Sequence, residues 1–513
     1  MELVRQRTAH ILIISLIAFL SACPSAGAQQ SADASPASSL ADGLAEGGSS
    51  AQLSQQQAGE IVRMLGEMRQ ELKESRQEVE ELKKEVTELK EEVASGQDNA
   101  SGVKSLETAI DELRDDQTVV QSQVKTLDQT KVGTESRYPL RLTGMILLNS
   151  YVVDGAVDNP VLPSIALPRS PQWVHHSMGA SVEQTQFGLY ATGPTLWNAH
   201  TSADVAVDFF NSSYTTIPPP NNLYLHLMTV DANIDWKTIQ LSGGLQTPII
   251  TPLSPTSFAT VGQPALAWAG NLWNWLPQAT FTHRTTFTGS SRALLAFGLL
   301  DPEGGTQSYD EAYGVLKRNL QPGYEGRVAY QWGDQARPYE IAANGYYSRQ
   351  LYYGNGTVQN EALDFWAGTA DWRVPLGGIA ELSGEFYRGR GIGDLGGGAF
   401  KNVVVESGAE YASGLNATGG WAQWKSRLNS SLEVNGYFGE DSAQANQVRD
   451  QAEVANAPPY LYLIRNQSTA ANIIYRPKTY LVFSGEYRYL KSWYVYGPPS
   501  RAQMLNLTMG YLF

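Results

Sequence analysis

Gln503-Met504-Leu505-Asn506-Leu507-Thr508-Met509-Gly510-Tyr511-Leu512-Phe513 alternates with a period of two. Leu505, Leu507, Met509, Tyr511 and Phe513 fall on one face of an extended chain, and Asn506, Thr508 and Gly510 on the other. A strand of this kind needs hydrocarbon on one side and water on the other. Taken alone, the segment also reads as the edge strand of an ordinary sandwich. The same phase recurs upstream, which favours the membrane. Leu481, Phe483, Gly485, Tyr487 and Tyr489 alternate with Ser484, Glu486 and Arg488, while Val230, Ala232, Ile234 and Trp236 alternate with Asp231, Asn233 and Asp235. Polar groups at so many alternate positions call for a wet interior.

From Tyr138 to Phe513 short alternating runs are separated by turn residues, and no helical period competes with them. Sixteen strands are expected, starting near Leu140, Ser181, Thr201, Leu223, Thr238, Gln278, Arg292, Tyr324, Tyr339, Leu363, Ile379, Gly419, Ser431, Leu461, Thr479 and Gln503; eighteen is the alternative. The fold class is an all-β transmembrane barrel of antiparallel strands over 138–513. An even number returns both ends of the barrel to one side, the periplasm.

Composition agrees. Gly 48, Tyr 26 and Trp 12 with only 17% charged residues suit strands whose outer faces meet lipid. Outside the amino-terminus no run approaches the roughly 18 apolar residues of a membrane helix. Residues 1–28 read as a secretory signal: Arg5, Arg7 and His10 precede the apolar stretch Ile11 to Leu20, with cleavage after Ala28. Leu20-Ser21-Ala22-Cys23 also fits a lipoprotein box, so Cys23 is either lipidated or lost with the signal. As the only cysteine it rules out an intrachain disulfide. The net charge of −14 lacks the basic patch that a nucleic-acid partner requires.

Residues 29–57 are an Ala/Ser/Gly/Gln-rich lead unable to bury a core. Residues 58–132 are expected to form a parallel coiled-coil stalk in the periplasm, with a break at 95–102. Leu65, Leu72, Val79, Val86 and Val93 take the a positions, and Ile61, Met68, Ser75, Leu82 and Leu89 the d positions. Glu71, Glu78 and Glu85 at g meet Arg76, Lys83 and Lys90 at the following e only if the helices are parallel. The stalk therefore needs copies of itself. A single solvated helix would leave its apolar seam exposed.

Thr251 to Pro277 is the longest stretch between strands without strand character. It contains Trp268, Trp273 and Trp275 and no Asp, Glu, Lys or Arg. A loop of this length with such aromatic content is expected to be functional. It follows the fifth strand, where a constriction loop folds into a pore, and a packed surface loop is the alternative. Charge selectivity would then fall to the wall. Strand phase points Arg141, Arg284, Arg327, Arg476 and Arg488 inward, together with Asp204, Asp208, Asp231, Asp235, Glu325 and Glu486. For any one of them a solvated lumen charge without a selective role is the plainer reading.

Beyond the stalk, several short motifs carry a resemblance: Arg141-Leu142-Thr143-Gly144 ahead of Ile146, Gln184 to Leu189, Thr418-Gly419-Gly420-Trp421-Ala422-Gln423, and Tyr511-Leu512-Phe513. Together they resemble the DcaP-like porins over about nine-tenths of the chain. The resemblance implies a sixteen-stranded trimeric barrel in the Gram-negative outer membrane with a periplasmic stalk. It also implies a preference for small organic anions such as dicarboxylates through basic eyelet residues, carried here by Arg141, Arg284 and Arg327. The mixed, slightly acidic wall departs from that pattern. Tyr511 and Phe513 resemble the terminal signal read by the barrel assembly machinery.

The function expected is passive diffusion of small hydrophilic solutes by a homotrimer, with no cofactor, metal or catalytic residue. The alternative is a structural tether, in which the coil links the outer membrane to peptidoglycan. Gly391-Ile392-Gly393-Asp394-Leu395-Gly396 spells a dinucleotide fingerprint, but no helix follows it. His175-His176 lacks a spaced partner ligand, and His283 lacks a nucleophile beside it. The coil makes a direct prediction. A peptide of residues 58–95 should sediment as a parallel oligomer, weakened by up to about 0.5 kcal/mol per pair when Glu71, Glu78 and Glu85 become Lys. Monomer alone at high concentration would refute the stalk.

Overall fold

Apart from a short ribbon of Val403–Val405 with Ala412–Gly414, the strands form one antiparallel sheet whose first and last members are hydrogen-bonded to each other. The structure is a computed structural model and describes residues 139–170, 174–210, 225–288, 290–304, 316–353, 360–407, 411–451 and 459–513. The expected signal, lead, stalk and Cys23 lie outside the described residues.

Numbered in chain order, the wall runs β1 (Leu140–Asp154), β2 (His176–Ser181 and Gln186–Thr192), β3 (His200–Asp208), β4 (His226–Asp235), β5 (Ile239–Gln246), β6 (Leu276–Thr288), β7 (Ser291–Leu300) and β8 (Leu316–Asn319 and Gly323–Trp332). It continues with β9 (Tyr339–Tyr353), β10 (Glu361–Leu376), β11 (Ala380–Arg390), β12 (Asn416–Arg427), β13 (Leu432–Ala443), β14 (Leu463–Lys478), β15 (Leu481–Tyr494) and β16 (Ser500–Leu512). The sheet has eighteen segments, but both pieces of β2 pair with β1 and both pieces of β8 with β9. The barrel is sixteen-stranded, and the count of eighteen arises from two interruptions. The break in β2 has a cause: Gln184 and Thr185 leave the ladder and turn inward. Thr185 Oγ1 accepts the N–H of Leu147, and Gln184 binds a loop described below. This strand therefore starts at His176, upstream of the expected Ser181.

Closure follows from the solvent. In hydrocarbon an unpaired N–H or C=O has no water to bond, so a membrane sheet must leave no edge. β1 and β16 meet from Met145↔Leu512 to Asp154↔Gln503, and the seam continues one rung further, where Gly144 and Phe513 exchange both backbone bonds at 2.9 and 3.0 Å. A side chain at Gly144 would collide with the carbonyl oxygen of Gln186 and stand 3.0 Å from the Phe513 ring. That ring sits 6.0 Å from Phe187.

Connections at the end where β1 begins and β16 finishes are short, as at 236–238, 377–379 and 479–480. Those at the other end are long: 155–175, 247–275, 391–415 and 444–462. On β16, Leu507, Met509 and Tyr511 are exposed and Asn506, Thr508 and Gly510 buried, the alternation of a wall with lipid outside. Large aromatics such as Tyr330, Trp366, Phe386, Trp424, Phe438, Tyr475 and Tyr487 cover the outer face of β8 to β15. The interior differs from the wet bore expected of strand phase alone. Midway up, inward polar residues such as Asn149, Asp371, Glu385, Asn435 and Glu486 are buried, because the long connections fold inward and pack on them.

Replacing Phe513 with Lys removes the ring from Phe187 and places an ammonium on the apolar side of the seam. The expected outcome is a large loss of heat-modifiable, folded barrel in outer-membrane fractions, read by semi-native gel electrophoresis; wild-type amounts would show the seam does not depend on it.

Candidate functional site

The connection between β5 and β6 lies inside the bore, held by amide and hydroxyl side chains of the wall. The Ile250 carbonyl accepts from Asn344 Nδ2 at 3.2 Å and Thr369 Oγ1 at 2.9 Å. Thr256 N–H donates to Gln423 Oε1 at 2.8 Å, while its carbonyl accepts from Asn472 Nδ2 at 2.8 Å. Ser257 Oγ donates to Glu486 at 2.5 Å. Gln184 Oε1 accepts from the N–H groups of Val261 and Gly262, and its Nε2 donates to the Ala259 carbonyl. Trp268 presents its carbonyl to Asn466 Nδ2 at 2.8 Å. The loop thus touches β2, β9, β10, β12, β14 and β15, sweeping most of the inner circumference. Buried backbone needs such partners, and a charged side chain here would need an ion as well. Gly270 has φ +99° and approaches β13 so closely that a Cβ would stand 2.6 Å from the Glu440 carbonyl oxygen.

The three tryptophans knit the loops together. Trp268 lies 4.4 Å from the Phe400 ring, Trp273 packs edge-on against Trp275 at 4.9 Å, and Trp275 is 5.5 Å from His226. Ile165 and Leu167 from the 155–175 connection join them, as do Met228 of β4, Leu463 of β14 and Tyr494 of β15. Because β4 and β14 stand on different sides of the ring, this cluster bridges the bore. All three indoles are buried, so they pack the loops rather than face solvent. Pro252 and Ser254 face solvent, as does Thr247 at the loop's start, with Ile249, Thr256, Ser257, Phe258, Val261 and Pro264 partly exposed. In the 155–175 connection burial pushes the Asp158 carboxyl up to about 6, although Ser164 and Ile165 donate their N–H groups to it.

All the charged wall residues named from strand phase stand at inward positions, yet they divide into two sets. Arg327 is buried and bound: its guanidinium donates to Asp371 at 2.5 and 3.0 Å, to Glu340 at 2.6 Å and to Asn344 at 3.1 Å. Arg488 is likewise buried, donating to Glu486 at 2.7 Å and to the Pro163 carbonyl at 3.4 Å. Glu325 is buried, and Asp208 is held by His226 at 2.9 Å. The second set meets water. Arg141 lies over the Tyr190 ring, Arg284 donates to Gln240 at 2.7 Å, and Arg476 lies over Phe258 and 3.8 Å from Glu433. Asp204, Asp231 and Asp235 are partly exposed.

Several residues escaped sequence reasoning. Asp371 and Glu340 hold Arg327, Glu385 is buried beside Asp371, and Lys425, Arg373 and Arg427 face the bore near the short turns. Phase could have placed Asp371 and Arg373 inside, since both alternate with Trp372; their partners it could not supply. The glycine-rich segment forms one 3-10 turn, Gly393–Leu395, with Asp394 bound to Lys317 and Gln350. His176 bonds Asp154, and His283 bonds Thr285.

Solved structures share this architecture. The outer membrane channel DcaP of Acinetobacter baumannii superposes with a TM-score of 0.58 at 12% identity, over 74% of this chain and 99% of that chain. The barrel has the DcaP-like porin fold. An anion-selective porin from Comamonas acidovorans (TM-score 0.46, 11% identity, 74% and 100% covered) and OprB of Pseudomonas putida (0.45, 11%, 73% and 94%) are also similar. No protein-family profile matches the chain, and no curated protein matches it in sequence.

Arg327→Met would leave Asp371 and Glu340 buried without a counter-ion. Removing one partner of a buried pair costs about 3 to 5 kcal/mol, so the variant should unfold at distinctly lower urea concentration than wild type. An unchanged midpoint would mean that the network is dispensable.

Proposed function

We propose that the protein is an outer-membrane porin for passive diffusion of small hydrophilic solutes. The observation that carries this reading is an uncharged connection after β5, hydrogen-bonded around the inner wall of a closed barrel. Such a loop narrows the bore without adding charge, so size is set by the loop and charge preference by the wall. Pro252 and Ser254 are then its passage-facing residues, while Trp268, Trp273 and Trp275 hold it in shape. Arg327 and Arg488 are occupied by carboxylates, so of the arginines named from strand phase only Arg141, Arg284 and Arg476 are left to favour small organic anions.

The protein is also proposed to associate with itself as a trimer, with outer-membrane lipid and the barrel assembly machinery as its other partners. The outer face of β2 to β5 supports this. Ala191, Ala203, Ala232 and Gly243 are successive register partners there, forming a row of small residues where β8 to β15 carry large aromatics, with Phe187 beside the seam as the aromatic of β2 on this face. A smooth face of this kind suits close packing against protein better than a lipid interface, where aromatic residues concentrate. The coil expected at 58–132 would serve the same association from the periplasm, and a link to peptidoglycan remains the alternative role of that segment.

Single-channel recording in planar bilayers tests the porin reading. Deleting Gln263 to Leu272 should raise conductance markedly, because the narrowest section sets the resistance. Correctly folded barrels that never conduct, in wild type and deletion alike, would remove the reading.

A further inference from the structure

We infer that the half of the bore nearest the short turns is a dipolar vestibule that favours small zwitterions over dianions. This deepens the porin reading above and rests on it. Asp204, the fifth residue of β3, and Asp231, four residues before the end of β4, are direct cross-strand partners on the inner face. Both are partly exposed, and among the described residues no Lys or Arg stands within ion-pair distance of either. Two carboxylates directly opposite each other repel, and although Gln246 bonds Asp231, no Lys or Arg among the described residues pairs with either. Asp235 continues the acidic face two in-phase positions further along β4.

In a ring of sixteen strands, β12 stands eight strands from β4, on the far wall. There Lys425 points inward two residues before the end of its strand, with Asn435 and Glu381 as register partners and no ion pair within 4.0 Å among the described residues. Arg427 and Arg476 share the single carboxylate of Glu433 at 3.6 and 3.8 Å. The far wall therefore carries an excess of positive charge, while β3 and β4 carry acid with no basic partner, flanked by Arg141 on β1 and Arg284 on β6. Opposed charges on the two walls set a transverse field across the bore.

A solute bearing an ammonium and a carboxylate can align its dipole with that field. A dianion of the same size must bring its second carboxylate toward Asp204 and Asp231, and so meets repulsion there. This runs against the dicarboxylate preference that the porin resemblance implies, because the acidic wall is a feature of this chain.

Proteoliposome swelling separates the possibilities, with erythritol as the uncharged reference, β-alanine as the zwitterion and succinate as the dianion. Relative to erythritol, β-alanine should enter several-fold faster than succinate. Asp204→Asn with Asp231→Asn should collapse that ratio toward unity, chiefly by admitting succinate, and Lys425→Gln with Arg476→Gln should slow β-alanine. Erythritol entry in each variant certifies a folded, open barrel. Succinate entering as fast as β-alanine in the unmodified protein, or a ratio unmoved by the aspartate pair, would overturn the inference and leave the porin reading standing. Failure of erythritol to enter through folded wild-type barrels would overturn both.

Discussion

The hydrogen-bonded seam between β1 and β16 is the constraint from which the rest follows. Once the sheet closes, no strand edge is left unpaired, and hydrocarbon becomes a tolerable solvent for the outer face. Closure also separates two environments. Leu507, Met509 and Tyr511 must then serve lipid while Asn506 and Thr508 serve the interior, and a slip of one residue would exchange them. The glycine at 144 belongs to this constraint, since the seam's last rung leaves no room for a side chain between Gln186 and Phe513.

A closed polar wall offers donors and acceptors that a folded-in loop can use. Asn344, Gln423, Asn466, Asn472 and Gln184 are side-chain amides spread around the ring, and each receives a backbone group of the connection after β5. An amide can satisfy either a carbonyl or an N–H without bringing a charge into a buried place. The loop can therefore be neutral, and its aromatic residues can pack with Phe400, Ile165 and Met228 into a cluster that joins three connections to the wall. Arg327 and Arg488 belong to the same economy of burial, each tied to carboxylates because the loops above them exclude water.

Strand phase was legible because the two faces of each strand meet different solvents, and a period of two survives without knowledge of neighbours. It placed Arg141, Arg284, Arg327, Arg476 and Arg488 on the inner side of the wall. It could not tell Arg284, which meets water, from Arg327, which is buried between acids on the two following strands, because Asp371 lies 44 residues away in the chain. The tryptophans were under-determined for a related reason. Aromatics in a long uncharged loop signal order, but whether they face a passage or a neighbouring loop depends on the 155–175 and 391–415 connections, whose own sequences carry no matching period.

Alternation, the absence of long apolar helices and the unusual loop after the fifth strand were properties of the chain alone, and they determined barrel, approximate strand number and the segment most apt to enter the bore. Each is a local pattern set by the solvent on either side of a few residues. Tertiary structure alone decided that the middle of the bore is packed, that two arginines are neutralised, and that β4 with its Asp231 stands opposite β12 with its Lys425. Those facts depend on which strands stand eight apart and how far the loops reach inward, distances that ring closure imposes and no local pattern encodes.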